Sequence, residues 1–478
     1  MNLEEYSSYD ALGLAELVSK GEVTAEELCL LATEGANAVN GSINALAGML
    51  GEPVSSAPAS DARFEGVPTF LKDLGASIAG VPQEMGSRFT AGMVAPLTTY
   101  FAQQMLDAGF NVIGRTTTPE FGLTLTTETL ACGKTCNPWN LSKIVGGSSG
   151  GSAAMVAAGV VPLAHTNDGG GSTRIPASIC GNVGLKSSRG RVSLGPMMND
   201  VSAALVNEGC NSRTVRDSAA FLDAVSHPQP GEGNLMTRAE SFLAGLENGK
   251  PGSYRIALSL DPWGGPEVDG DVRQEAERVA QLLRDHGHVV EEATPDILKT
   301  GMVTEQFQIL WFALAELTIA QLSQVTNRAP DADHLENLTL QMVERGKQVT
   351  ALQFATAMGA ANAVSRELGT FFDSWDLMLT PTLDAQTPDL DSNLRLHADV
   401  SLDDWYSEAL GVVPKTPLAN YTGVPAISVP CGIGPGNMPL GMQFYGPMGT
   451  EARLLDIARQ LEIADPWVNR RPGVHVAA

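Results

Sequence analysis

The sequence predicts one large α/β unit in which a mixed β-sheet is covered by helices on both faces. Amphipathic helical segments and short apolar strands alternate along the whole chain, which is typical of this fold class. At 478 residues the chain is long enough to bury a large core. We expect a single domain over 1–478, within which the mostly helical segment 295–375 forms a cap.

Each predicted element depends on apolar spacing or on capping residues. Asp10 can cap a first helix, and Thr24 with Glu27 forms a capping box for a second. Residues 51–66 are rich in Ala, Ser and Pro and predict a loop, and 115–145 predict an irregular segment. The predicted helical segments are 10–50, 97–109, 153–159, 218–226, 269–286, 304–324, 351–374 and 451–461. The predicted strands are 66–72, 110–114, 160–165, 254–260, 288–290, 376–380, 423–432 and 440–444.

Charge and composition restrict the classes of partner. The net charge is −24, whereas nucleic acids and anionic membrane surfaces attract basic proteins, so we expect neither as a partner. The sequence shows no signal-peptide pattern and no apolar run as long as a membrane span, and its six cysteines are scattered. Cys132 and Cys136 have no second ligand pair nearby, so we expect no metal. We predict a cytoplasmic monomer or homodimer that acts on a small molecule.

Two Gly/Ser clusters, Gly146–Ser152 and Gly169–Ser172, carry the strongest functional signal. Dense glycine in an ordered region indicates close approach of the backbone to a ligand or an unusual backbone conformation. The first cluster is not a P-loop, because Gly151 is followed by serine rather than lysine. It matches G-x-S-x-G at Ser148, but the polar segment before it differs from the buried strand that precedes a nucleophile elbow. An esterase that uses Ser148 in this way is our alternative hypothesis.

The two clusters can instead form a single site. A helix and a returning strand separate Ser148 from Ser172, and such a connection can bring both loops to one edge of the sheet. Consecutive glycines at 169–171 let successive backbone N–H groups converge on one point. This pattern predicts an oxyanion hole beside a nucleophilic Ser172.

A nucleophilic serine needs a base, and the sequence offers two candidates. His165 and Asp168 lie so near Ser172 along the chain that the three would not converge easily, so we interpret His165 as a core or strand-end histidine. Lys72 ends an apolar strand and is the alternative base, provided that burial keeps it neutral; the other interpretation is a surface lysine. Arg174 either clamps a substrate carboxylate or, as we favour, ties its loop to a nearby carboxylate.

Several motifs resemble those of the amidase signature family, and they follow the family's order over most of the chain. The motifs are GVPTFLKDL (66–74), TPEFG with NPWN (118–140), GGSSGGSAA (146–154), TNDGGGSTRIPASICG (166–181) with GLKSSRGRVS (184–193), and, more weakly, NYTGVPAISVPCG with PLGMQFYGP (420–447). TPEFG, NPWN and HTNDGGGS look most similar to the branch of 6-aminohexanoate-cyclic-dimer hydrolase and acylamidases. The resemblance implies the amidase signature fold.

The resemblance also implies a Ser-cisSer-Lys triad without any cofactor. Ser172 matches the nucleophile, Ser148 the bridging serine in a cis conformation, and Lys72 the base. The backbone amides around Gly169, Gly170, Gly171 and Ser172 match the oxyanion hole. The implied reaction is cleavage of a C–N bond in a linear or cyclic amide, an anilide or a carbamate, through an acyl-enzyme.

By the same resemblance, residues 121–127 lie beside the scissile carbonyl. We therefore take Gly122, Leu123 and Thr126 as pocket candidates. The predicted helix that contains Gln308, Trp311 and Phe312 is a candidate for a further wall of the pocket, from which we select Trp311. The alternative interpretation is that these large side chains belong to the core, as such residues in a helix more often do. A non-catalytic binding protein on this scaffold is a second alternative, which turnover of a simple anilide would exclude.

Overall fold

A computed structural model describes residues 1–198, 205–232, 236 and 240–478, and its strands and helices alternate along the chain. The strands are β1 (Leu46–Val54), β2 (Pro68–Lys72), β3 (Asn111–Thr116), β4 (Glu128–Thr129), β5 (Gly133–Lys134), β6 (Cys136–Asn137), β7 (Asn140–Ile144), β8 (Leu163–Asp168), β9 (Val183–Lys186), β10 (Asn207–Ser212), β11 (Arg255–Leu258), β12 (Val289–Glu292), β13 (Leu377–Pro381), β14 (Ala426–Ile433) and β15 (Pro439–Tyr445). The helices are α1 (Leu3–Ser8), α2 (Ala11–Ser19), α3 (Ala25–Ile43), α4 (Tyr100–Asp107), α5 (Gly150–Ala157), α6 (Arg174–Cys180), α7 (Val215–Val225), α8 (Phe242–Asn248), α9 (Gly270–Asp285), α10 (Asp296–Lys299), α11 (Met302–Thr326), α12 (Asn337–Lys347), α13 (Ala351–Phe372), α14 (Leu402–Val412), α15 (Pro417–Thr422) and α16 (Glu451–Ala464).

The main sheet has the strand order β12-β11-β13-β15-β14-β9-β10-β8. β11 pairs in parallel with β12 and β13, and the pairs from β13 across to β8 are antiparallel. Successive side chains of a strand point to opposite faces, and every residue of β13 and β15 is buried. Both faces of the sheet are therefore covered, and the predicted mixed α/β fold is confirmed.

A smaller sheet with the order β1-β3-β2 positions the end of β2 against the main sheet. β2 is buried throughout and pairs in parallel with β3, with Lys72 opposite Thr116. Thr69 Oγ1 donates to the carbonyl of Leu163 at 2.9 Å, and the Lys72 amide donates to His165 Nδ1 at 3.1 Å. These two bonds hold β2 beside β8, which is the edge strand of the main sheet.

The sequence prediction was wrong where β1 forms. The helical pattern was expected to continue to residue 50, but α3 ends at Asn44, which adopts a left-handed conformation with φ of 48°. β1 then pairs antiparallel with β3. Pairing with β3 overrides the local helical preference here. The local sequence could not indicate this pairing, because β3 lies far away along the chain.

The capping predictions are confirmed. The Asp10 side chain accepts from the amide of Gly13 at 3.0 Å, and Thr24 and Glu27 form a reciprocal capping box. Other elements were not predicted, because their local sequence lacks a clear period. They include α6, α8, α12, α14 and α15 among the helices and β9 and β10 among the strands.

The segment 295–375 is mostly helical, as predicted, and contains α11, α12 and α13. Its role as a cap stays a prediction. Within the described ranges, α11 is the helix whose length and apolar composition would also suit a membrane span. That property is weak support for a span, since long core helices share it, and Leu310, Phe312 and Ile319 of α11 are buried.

Candidate active site

Lys72 ends β2 with its amine inside the protein. The residue is only 1 % exposed, and Nζ lies 2.6 Å from Ser148 Oγ and 2.6 Å from Asn167 Oδ1. Burial lowers the pKa of Lys72 to about 7, although the negative charges of Glu208 and Asp168 act in the opposite direction. At neutral pH a large fraction of this amine is therefore unprotonated and can accept a proton.

The loop before α5 brings Ser148 to this amine. The peptide bond between Gly147 and Ser148 is cis. A side chain at Gly147 would collide with the backbone of Leu125 at 2.7 Å and of Thr124 at 2.8 Å, so the loop needs glycine at this position. The close approach places the segment around 124–126 directly beside the peptide bond that joins Gly147 to Ser148. The position of residues 121–127 beside the scissile carbonyl stays a prediction.

The second Gly/Ser cluster follows β8 and leads into α6. The amide of Ser149 donates to the carbonyl of Ser172 at 3.3 Å, which joins the two predicted clusters. Gly171 has a φ of 127°, and a side chain there would meet Thr416 Oγ1 at 2.5 Å. Glycine is therefore required at this turn, and Ser172, which is 8 % exposed, reaches the cleft.

Asp168 and Arg174 hold this second loop in place. Arg174 is fully buried and donates to both Asp168 oxygens through Nε at 2.9 Å and Nη2 at 3.0 Å. Burial opposes ionisation of Asp168, but the guanidinium outweighs it and the pKa of the carboxyl falls to about 2. The remaining Arg174 contacts are with Gln443 and Asn420. Arg174 thus ties its loop to a carboxylate, and its side chain does not line the cleft beside Ser172.

One predicted oxyanion donor has another partner. The N–H of Gly171 donates to Asp168 Oδ1 at 2.7 Å, so it points into the loop rather than toward an attacked carbonyl. The prediction for Gly171 is therefore corrected. The backbone amides of Gly169, Gly170 and Ser172 remain as candidates.

A cleft opens beside Ser172. Of the predicted pocket residues, Gly122, Leu123 and Trp311 line it. The prediction for Thr126 was wrong, because this side chain is fully buried and donates to Glu128 Oε1 at 2.8 Å. The described lining residues carry no charge, and they are Gly122, Leu123, Thr124, Leu125, Gly147, Gly170, Ser172, Ile175, Phe307, Trp311, Trp405, Tyr406, Ala409, Leu410, Val413 and Pro417.

Aromatic side chains that the sequence analysis missed form much of this cleft. Phe307 stacks on Trp311 with ring centroids 5.5 Å apart, and a spacing of four residues on one helix face was the available signal. Tyr406 donates through its hydroxyl to the carbonyl of Thr304 at 2.7 Å, and Trp405 donates through Nε1 to Leu394 at 2.9 Å. With these polar atoms engaged, the two side chains offer the cleft mainly their rings.

Other predicted residues lie elsewhere. Phe312 belongs to a separate buried cluster with Phe89 and Leu338, and Gln308 is not among the cleft residues. The thiols of Cys132 and Cys136 are free. In the part of the chain that the structure describes, no group of three or more His, Cys, Asp or Glu side chains is placed to hold a metal ion.

Comparison with known proteins agrees with this geometry. The family profile described as Amidase matches residues 27–455. The chain is 37 % identical to 6-aminohexanoate-cyclic-dimer hydrolase of Paenarthrobacter ureafaciens, over 97 % of this chain and 96 % of the relative.

Solved structures extend the comparison to the fold. A structure of 6-aminohexanoate cyclic dimer hydrolase complexed with substrate has a TM-score of 0.89 at 35 % identity, and covers 98 % of this chain and 99 % of its own. A bacterial aryl acylamidase of the amidase signature family shares the fold, with a TM-score of 0.84 at 24 % identity, and covers 97 % of this chain and 99 % of its own. The chain therefore belongs to the amidase family and is a hydrolase of amide bonds.

Proposed function

We propose that this protein hydrolyses amides through an acyl-enzyme, with Ser172 as nucleophile, Ser148 as proton relay and Lys72 as base. The observation that carries the proposal is the 2.6 Å contact between Lys72 Nζ and Ser148 Oγ, made by a buried amine whose pKa is near neutral. The bond between the Ser149 amide and the Ser172 carbonyl holds the two serine loops together.

The reaction begins with two linked proton transfers. Neutral Lys72 takes the hydroxyl proton of Ser148 while Ser148 Oγ takes the proton of Ser172, and Ser172 Oγ attacks the carbonyl carbon. Negative charge develops on the carbonyl oxygen, and the amides of Gly169, Gly170 and Ser172 are the proposed donors to it. Ser148 then gives its proton to the leaving nitrogen as the C–N bond breaks, and Lys72 returns a proton to Ser148.

Hydrolysis of the acyl-enzyme uses the same groups. The relay takes a proton from water, the resulting hydroxide attacks the ester carbonyl, and Ser172 Oγ leaves with that proton restored. The carboxylic acid product departs, and the lysine is neutral again. No step requires a cofactor.

The uncharged lining of the cleft favours the binding of uncharged substrates. Its lining offers aromatic and aliphatic surface, and a buried substrate charge would have no ionic partner there. The similarity to 6-aminohexanoate-cyclic-dimer hydrolase suggests cyclic amides, and linear amides, anilides and carbamates fit the same chemistry. We further propose a cytoplasmic monomer or homodimer that acts on small molecules without nucleic acid or membrane.

The esterase alternative, with Ser148 as nucleophile, has less support. β7 precedes the Ser148 loop, but it is largely exposed and its strand partner is the two-residue β6, unlike the buried strand of a nucleophile elbow. Ser148 is 2 % exposed, whereas Ser172 lines the cleft. Both observations favour Ser172.

A substrate panel with mass spectrometry tests the assignment. Short amides, anilides, carbamates, cyclic amides and esters are incubated with the wild type, Ser172→Ala and Ser148→Ala. We expect a trapped acyl group on Ser172 in the wild type and no acylation of Ser172→Ala. Acylation of Ser172→Ala together with its loss in Ser148→Ala would establish the esterase alternative instead.

A further inference from the structure

Behind Lys72 lies a buried polar cluster made of Asn167, His165 and Glu208, which the proposed mechanism does not use. We propose that this cluster is a positioning unit that orients the amine of Lys72 toward Ser148. The proposal rests on the proposed function of Lys72 as the base. None of the three residues touches the substrate cleft, so they act through Lys72.

Strand β8 contacts Lys72 at two points. Because alternate residues of a strand share a face, His165 and Asn167 both point toward β2. His165 Nδ1 accepts the backbone N–H of Lys72 at 3.1 Å, and Asn167 Oδ1 lies 2.6 Å from Nζ. One strand therefore holds both the backbone and the tip of the lysine.

The orientation of the Asn167 amide is set by its other end. Asn167 Nδ2 donates to the carbonyl of Leu74 at 3.0 Å, so Oδ1 faces the lysine. An amide oxygen can only accept, and Lys72 must therefore donate an N–H to it. A neutral amine has one lone pair, and with an N–H committed to Asn167 the lone pair is free to face the hydroxyl of Ser148, whose Oγ lies 2.6 Å from Nζ.

The partners of His165 define its tautomer. Since Nδ1 accepts from Lys72, the ring proton sits on Nε2 and is donated to Glu208 Oε2 at 2.8 Å. The histidine is fully buried and its carboxylate partner is 6 % exposed. His165 thus links the backbone of Lys72 to the carboxyl group of Glu208 inside the protein, which agrees with its interpretation as a core histidine.

Glu208 lies directly across the sheet from Asn167. The two residues are register partners in the antiparallel pair of β8 and β10. Both side chains pack on Gly75, where an added Cβ would lie 2.3 Å from Asn167 Nδ2 and 2.5 Å from Glu208 Oε1. The carboxylate is therefore close behind the amide that holds Lys72, where its charge favours the ammonium form.

The charged groups around Lys72 come from three elements. Glu208 belongs to β10, and Asp168 at the end of β8 is paired with Arg174. Asp73 follows Lys72 directly and is paired with Arg115 at 2.6 Å. Since the two aspartates have their own cations, Glu208 is the carboxylate in this group that contacts no arginine or lysine within the described part of the chain.

Two nearly isosteric substitutions test the proposal by moving the pH dependence in opposite directions. Asn167→Asp places a carboxylate against Nζ, so the acid limb of kcat/KM should move to higher pH by about one unit or more. Glu208→Gln removes the negative charge but keeps an acceptor for His165, so the limb should move to lower pH. A purely structural role would lower activity equally at every pH.

Asn182→Ala is the control, since Asn182 is also buried but donates to the carbonyl of Ala153. It should leave the position of the pH profile unchanged. Unshifted profiles in folded Asn167→Asp and Glu208→Gln would overturn the proposal, and if one variant does not fold, the direction of shift in the other decides. Lys72→Ala distinguishes the proposed function from the positioning proposal. Full activity in Lys72→Ala refutes the proposed function. If Lys72→Ala is inactive while the profiles of Asn167→Asp and Glu208→Gln are unshifted, only the positioning proposal is refuted.

Discussion

Lys72 and Lys186 are both buried lysines, and they differ in what their amines contact. Burial lowers the pKa of each to about 7, with Arg174 lowering that of Lys186 further. Lys72 Nζ faces the hydroxyl of Ser148, whereas Lys186 Nζ donates to the carbonyls of Ser187 at 2.8 Å and Val424 at 3.2 Å. A carbonyl has no proton to give. Burial therefore sets how readily each lysine is neutral, and the partner decides whether it can work as a base.

The largest expected effect separates the two lysines by activity. Lys72→Met should lower kcat/KM by about 10⁴-fold or more, the order found when a member of a catalytic triad is removed. Lys186→Met keeps the buried volume and loses only bonds to backbone carbonyls, so it should retain activity within about tenfold. Anilide hydrolysis by the two purified variants measures the difference. Equal losses in both would show that Lys72 has no special role.

The second test changes the partners instead of the lysines. Ser148→Ala removes the hydroxyl that faces Lys72 and should lower kcat by about 10³-fold, within the range of general acid–base catalysis. Ser187→Ala is the control, because Lys186 contacts the backbone carbonyl of Ser187 and not its side chain. Single-turnover kinetics should show unchanged acylation in that control. A Ser148→Ala enzyme with wild-type acylation would contradict the relay.

The pH dependence of activity is the third test. Lys72 must be neutral to accept a proton, so kcat/KM should rise about tenfold per pH unit at acid pH and level off above a pKa of about 7. Lys186→Met should leave this profile in place. Glu120 needs its own control, because burial and the neighbouring Glu336 raise the pKa of its carboxyl to about 7 as well. If the acid limb of the kcat/KM profile moves in Glu120→Gln, that limb reports the titration of Glu120 rather than that of Lys72.

The smallest expected effect is one that the two lysines share. Each has a folded-state pKa of about 7 and an ordinary value of 10.5, so between these values the unfolded chain binds a proton that the folded chain does not. The free energy of unfolding therefore rises with pH over this window. The contribution of each lysine to it is lowest below pH 7. In Lys72→Met and Lys186→Met that slope should be reduced. Urea unfolding of both variants from pH 7 to 10 measures it, and unchanged slopes would contradict the lowered pKa values.

The side chains of the proposed relay could be predicted from sequence because their chemistry constrains local patterns. Two Gly/Ser clusters and a lysine at the end of an apolar strand are visible without any structure. Capping at Thr24 is equally local, since donor and acceptor lie within one turn. The wrong prediction at β1 has the opposite cause, because its partner β3 is far away along the chain.

In the cleft, too, some residues could be predicted from local sequence and others could not. Gly122 and Leu123 were predicted from a motif, but Trp405 and Tyr406 lie in α14, which no local pattern predicted. Thr126 has the motif position of a pocket residue, yet its hydroxyl is turned to Glu128. Spacing along a chain does not specify which way a loop side chain points, because packing against distant segments determines it.

The sequence by itself determined the α/β class, the two serine loops and the candidate base, since glycine, serine and apolar-strand patterns act over short distances. Only the tertiary structure decided that Lys72 and not Lys186 faces a hydroxyl, that the Gly171 amide is turned to Asp168, and that Asn167 holds the amine. Proton transfer requires contact within hydrogen-bond distance. Such contacts between residues far apart in sequence exist only once the strands and loops have packed.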